Sequence, residues 1–214
     1  MIEIKNLSKK FGKVKAVDNL NLVINPGELF TFLGPNGAGK TTTVKMITGL
    51  ILPTEGEIFI KGIDMLKEPE KAKSVIAYIP DEPFLYPELT GREFIFFVSR
   101  LYDMEKKTIE ERSERLLSEF GIKEWIDFPS SEYSHGMRQK VIVLQALIHN
   151  PVSVFMSTHS LPLAEEISDR VGVIDNGVLV ETGKVDELKR IKGKNYSTLE
   201  EVYFKLTEEE KSVV

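Results

Sequence analysis

Gly34-Pro35-Asn36-Gly37-Ala38-Gly39-Lys40-Thr41 leaves this chain little choice of architecture. The run before it, Leu29 to Leu33, is continuously apolar, as in a strand buried on both faces. The run after it, to about Thr48, reads as a helix. Strand, glycine-rich turn and helix in that order fit the pattern G-x-x-x-x-G-K-[ST] in full. The glycines let successive backbone N–H groups turn inward without Cβ clashes, and the helix adds the positive end of its dipole. Such a turn is a seat for phosphate. Lys40 brings a point charge to it, and Thr41 a hydroxyl for Mg²⁺.

The rest of the chain arranges itself around that turn. Residues 2–5 and 19–24 read as strands, as do Glu57 to Ile60 and Ser74 to Ile79. Residues 84–150 then change character. Thr90 caps a predicted helix running through Tyr102. A second helix spans Thr108 to Phe120, and a third, apolar nearly all round and so deeply buried, Met137 to His149. Strands return at Val152 to Met156 and Val171 to Ile174. Ser197-Thr198-Leu199-Glu200 has capping-box spacing and opens a short amphipathic helix, with Glu208 to Lys211 as a frayed tail. The expected fold is α/β. It has a mostly parallel sheet with flanking helices, an antiparallel N-terminal sheet and an inserted all-helical subdomain. The expected division is 1–83 with 152–214 for the core, and 84–151 for the insertion.

Composition narrows the function classes. Lys and Arg number 28 against 33 Asp and Glu, a net charge of −5, so nucleic acid is a poor expectation. There is no cysteine, hence no disulfide framework. Ile2-Glu3-Ile4 opens as a strand, not as a signal sequence. No apolar run approaches the ~20 residues of a membrane span. Any membrane role is expected through a partner, at the cytoplasmic, inner face of the cell membrane.

Two motifs together carry a resemblance. Leu33 to Thr42 is similar to the phosphate loop of ATP-binding cassettes, and Tyr133-Ser134-His135-Gly136-Met137-Arg138-Gln139 resembles that family's signature sequence, with His135 in place of its usual first glycine. The resemblance implies the ATP-hydrolysing motor subunit of a membrane transporter, with an exporter-like signature. It implies a pair of such subunits, a homodimer or two paired cassettes, closed head-to-tail over ATP and Mg²⁺ beside a transmembrane permease subunit. Gly34, Asn36, Gly37, Ala38, Gly39, Lys40, Thr41 and Thr42 would hold the nucleotide, and Phe11 would stack on adenine. Ser134 and Gly136 would reach the γ-phosphate bound by the opposite subunit. His159 would be the switch histidine, catalytic together with Lys40. Thr41 and Asp81 would meet the metal. Asp81 stands where the family has glutamine, and an ionised aspartate cannot donate a hydrogen bond. The alternatives are a soluble, non-transport cassette ATPase and a nucleotide-binding module without hydrolysis.

The second alternative arises from a gap. After the signature helix, the resemblance implies an apolar strand ending in Asp-Glu, which would hold Mg²⁺ and polarise water, then a loop and a helix. Here Leu147-Ile148-His149-Asn150-Pro151 runs straight into Val152-Ser153-Val154-Phe155-Met156-Ser157-Thr158-His159. Roughly 30–40 residues are absent by ordinary element lengths. Asp81-Glu82-Pro83 imitates the missing ending but precedes the signature. Two explanations are open. The sequence as written skips a segment that the protein has, which is the favoured expectation and predicts a chain break at Pro151–Val152. Or the segment is truly deleted, in which case the loss of a strand expected beside the phosphate-loop strand should open a void there.

Overall fold

The computed structural model describes all residues except Asp81, Val152, His159, 191–194 and 212–214, and for 207–211 it describes the backbone alone. The expected break at Pro151–Val152 therefore falls outside the described residues. The chain forms two units, Met1–Tyr78 with Val152–Val214, and Ile79–Pro151.

The first unit carries two sheets. β1 (Ile2–Phe11), β2 (Val14–Ile24), β4 (Glu55–Ile60) and β5 (Ile63–Asp64) pair antiparallel in the order β2-β1-β4-β5. Alternation dictates which face is buried. Ile2 and Ile4, Leu20, Leu22 and Ile24, and Ile58 and Ile60 all point into one cluster, while their sequence neighbours face outward. The second sheet has the order β6 (Ile76–Ile79), β7 (Ser153–Ser157), β3 (Leu29–Leu33), β8 (Arg170–Asp175), β9 (Val178–Lys184). β3 runs parallel to both its neighbours and is buried at every position. Phe30 and Phe32 contact edge-to-face at 5.0 Å within the same cluster as the antiparallel sheet and α1 (Lys40–Ile47). Leu33, Val171 and Val173 pack instead with α6 (Leu161–Ile167), α7 (Val185–Leu188) and α8 (Leu199–Lys211). The short α2 (Pro69–Lys73) completes the unit.

Since β7 and β8 occupy both edges of β3, the expected vacancy beside the phosphate-loop strand is not found. β7 is itself bonded to β6 on its other edge, so hydrogen bonding in the sheet is continuous. The C-terminal region also differs from expectation. Thr198, not Ser197, is the capping residue: its hydroxyl accepts from Glu201 N, and Glu201 in return accepts from Ser197 N. The hydroxyl cap thus lies one residue later than expected, and α8 continues through Lys211 where a frayed tail was expected.

The second unit is helical among its described residues after β6. α3 (Gly91–Leu101) begins with a full capping box from Thr90 and Glu93. α4 (Lys106–Glu119) starts two residues before its predicted Thr108. α5 (His135–Ile148) is capped by Ser134, and Val141 to Leu144, Ala146 and Ile148 are buried, as the apolar run requires.

Glu165 of α6 ties three helices together. One carboxylate oxygen accepts from the first N–H of α8, Leu199 N, at 2.9 Å, and the other pairs with Lys189 just after α7. These bonds, led by the one from Leu199 N, hold the carboxyl below its ordinary pKa. Glu165→Ala is expected to cost about 1–2 kcal/mol at neutral pH. Because folding depresses this pKa, the contribution is complete above the ordinary value of 4.5 and is lost as pH falls through the lower folded value. Thermal melts of wild type and variant should therefore differ clearly at neutral pH and converge in acid. A difference independent of pH would show that the carboxylate's charge plays no part.

Candidate functional site

The phosphate-seat residues lie between β3 and α1. A Cβ on Gly34 would stand 2.2 Å from Ile174 O, and one on Gly39 would stand 2.5 Å from Ala16 O, with Gly39 at φ 104°. Both positions therefore require glycine by close approach, and Gly39 also by its left-handed backbone. Ala38, Gly39 and Lys40 are buried, whereas Asn36, Gly37 and Thr41 are exposed and Thr42 half-buried. The Lys40 side chain, only 6% exposed, folds back so that its ammonium donates to Gly34 O and, at 3.0 Å, to Pro35 O. Gly39, the residue before α1, provides no side-chain cap. A helix start with no capping side chain is the arrangement that favours an anion there.

Phe11 closes the β1–β2 hairpin opposite Val14. Its ring is 51% exposed, with the Lys9 ammonium 5.1 Å from the centroid. Lys9 is held in place by Leu52 O at 2.6 Å. An exposed ring fixed at a hairpin end can stack on a planar base.

The signature-like residues lie in the second unit. Ser134 accepts from Met137 N at 3.3 Å and starts α5, leaving Ser134, His135 and Gly136 exposed. A Cβ on Gly136 would meet nothing within 4 Å, and the residue is not left-handed. Glycine in a helix costs about 1 kcal/mol relative to alanine, and the packing of this chain gives no reason for it. Tyr133 anchors the turn, a role the sequence reading did not assign. It is almost wholly buried, accepts from Gly91 N at 3.0 Å and donates to Ile126 O at 2.8 Å. Its own carbonyl accepts from Arg138 Nε and Nη2, and burial pushes its phenol pKa up. A tyrosine just before a capping serine could have suggested this anchor, but its partners lie 42 and 7 residues away, beyond any local pattern. His149, at the C-terminal end of α5, stacks on Tyr102 at 4.1 Å.

His159 and Asp81 lie outside the described residues. Their neighbours are clear: Thr158 is buried, its hydroxyl accepts from Ser160 N at 3.0 Å, and Ser160 caps α6. No cluster of three or more His, Asp or Glu able to hold a metal occurs among the described residues.

Comparison with known proteins places these observations. A family model described as ABC transporter matches residues 17–156. The bacitracin transport ATP-binding protein BcrA of Bacillus licheniformis is 30% identical over 246 residues, covering 100% of this chain and 78% of that protein. This chain has 214 residues, so at least 32 aligned positions, the excess of 246 over 214, have no counterpart here. That excess agrees with the internal gap read from the sequence. The probable multidrug ABC transporter ATP-binding protein YbhF of Escherichia coli (strain K12) is 31% identical over 220 residues, covering 88% of this chain, which spans only 38% of that protein's length. A solved structure of an ATP binding subunit of an ABC transporter superposes with a TM-score of 0.77 at 29% identity, covering 97% of this chain and 99% of that one.

Tyr133→Phe is expected to destabilise the protein by about 1–3 kcal/mol, because it leaves the buried Gly91 N–H without an acceptor. Chemical denaturation checks this, and an unchanged midpoint would remove Tyr133 as the anchor of the Ser134 turn.

Proposed function

The chain belongs to the ABC transporter family, whose ATP-binding subunits are ATPases, and we propose that this protein is the motor subunit of an exporter. The buried Lys40 ammonium beside the uncapped start of α1 carries this reading. It is a preformed seat for the β- and γ-phosphates, with backbone N–H groups from the glycine turn around them. Phe11 stacks on the adenine. The exposed Thr41 hydroxyl, with Asp81 as a second ligand, would hold Mg²⁺, which would draw charge from the phosphate oxygens. Residues 1–83 and 152–214 serve as the nucleotide-binding core, and 84–151 as the signature subdomain. His159 holds the γ-phosphate and the attacking water.

In this proposal two subunits close head-to-tail, and Ser134 and Gly136 reach the ATP of the opposite one. The open space at Gly136 supports that role, since a glycine without an internal packing reason suits a surface that must admit a ligand. The permease meets the second unit at its exposed aromatics. Phe84 and Tyr86 contact edge-to-face at 5.5 Å, and Tyr86 and Phe97 at 5.9 Å. No helix among the described residues is long and apolar enough to cross a membrane, and the proposed place is the inner face, through that permease. The multidrug name of one relative and the transport name of another support the exporter assignment.

The missing Asp-Glu strand favours a second reading, nucleotide binding without unaided turnover. The sheet has no vacancy beside β3, and the alignment with the bacitracin transport protein has at least 32 positions more.

Calorimetry and phosphate release test both readings. Lys40→Ala should weaken MgATP binding by at least about tenfold, the loss of a charge-assisted contact. Ser134→Arg should leave MgATP binding to the single subunit intact while blocking ATP-dependent pairing. Lys40→Ala binding like wild type would refute the cradle, and loss of monomer binding in Ser134→Arg would refute the role across the dimer. Phosphate release by wild-type protein supports the motor, whereas binding without release supports the second reading.

A further inference from the structure

The β8–β9 hairpin turns through Asn176 and Gly177, with Asp175 paired to Val178. Both turn residues are left-handed, φ 45° and 83°, as a two-residue Asn-Gly loop requires. In such a turn the strand ladder uses the flanking residues, so the peptide groups of the glycine are free to bond elsewhere. Here Gly177 N donates to Ala38 O at 2.9 Å, and Gly177 O accepts from Asp18 N at 2.8 Å. The hairpin tip therefore joins β2 to the glycine-rich turn. Contact is close on every side: a Cβ on Gly177 would lie 3.0 Å from Ala16 O, and one on Gly39 only 3.4 Å from Gly177 Cα.

This bond sets a direction. In a planar trans peptide the C=O and the following N–H point opposite ways. With Ala38 O turned onto Gly177, the Gly39 N–H is aimed away from the hairpin. We propose that Gly177 is a positioning residue, which by holding Ala38 O fixes the Gly39 N–H toward the β-phosphate of the bound nucleotide. The link to Asp18 also connects this peptide to β2, whose first residue, Val14, closes the hairpin bearing Phe11. Gly177 thus holds the phosphate end of the site in register with the strand that leads to the base end. The inference rests on the nucleotide reading of Gly34 to Thr41.

Gly177→Asn and Asn176→Gly test it. Asparagine tolerates the left-handed backbone, so Gly177→Asn should fold, but its Cβ would crowd Ala16 O and lift the tip from Ala38. Calorimetry below the melting temperature should show MgATP and MgADP weakened alike, by about tenfold, because the β-phosphate is common to both. Asn176→Gly keeps the Gly177 amide in place and should bind as wild type. A purely structural role would lower the melting temperature of Gly177→Asn and leave both affinities unchanged, which would overturn the proposal. So would a loss confined to MgATP. Lys40→Ala serves as the reference: if it too binds as wild type, the cradle itself is wrong, whereas weak binding by Lys40→Ala with normal binding by Gly177→Asn refutes the hairpin's role alone.

Discussion

The glycine-rich turn depends on β3 being held from both sides. Its five residues are buried, and its two edges are taken by β7 and β8 in parallel register. The chain therefore leaves the sheet at Leu33 from a fixed point and in a fixed direction. Gly34 then passes so near Ile174 O that no side chain fits, and Gly39 passes as near Ala16 O. Close packing of this kind transmits small errors, because an interior at crystal-like density has no slack to absorb an added methyl. The glycine turn is thus shaped by its surroundings as much as by its own flexibility.

The remaining candidate segments are fixed by attachments of their own. The Ser134 turn is set by the buried Tyr133, which reaches back to the start of α3 and to Ile126. The segment around Thr158 leads directly into α6, and α6 is tied through Glu165 to α8. Each of these attachments is a hydrogen bond to a backbone group, satisfying a helix end or a buried carbonyl that would otherwise be costly. β7 bonds to β6 on one side and to β3 on the other, so the sheet leaves no unpaired edge between them.

Much of this was legible in the sequence because the signals were local. Thr90 is the predicted cap of α3, the apolar run of α5 is buried, and the glycine turn lies between a strand and a helix. The errors arose where distant partners decide. β9, α6 and α7 follow weak local patterns and are set by packing on β8 and β3. The cap of α8 moved from Ser197 to Thr198, a one-residue ambiguity between adjacent hydroxyls that composition does not resolve. The vacancy expected beside β3 assumed that a missing strand was its direct neighbour, but strand order is not written in strand sequence. The contacts of Lys40 with Gly34 O and Pro35 O, and of Gly177 with Ala38 O, were equally invisible, since they depend on backbone direction.

The central claim is that the turn from Gly34 to Thr41 is a phosphate seat whose charge is held ready by its own carbonyls. A crystal structure with Mg²⁺ and a non-hydrolysable ATP analogue tests it most directly. The account predicts that the Lys40 ammonium leaves Gly34 O and Pro35 O for the β- and γ-phosphate oxygens, while Ala38 O keeps its bond to Gly177. A nucleotide bound elsewhere, or Lys40 still on its two carbonyls with nucleotide in the turn, would contradict it.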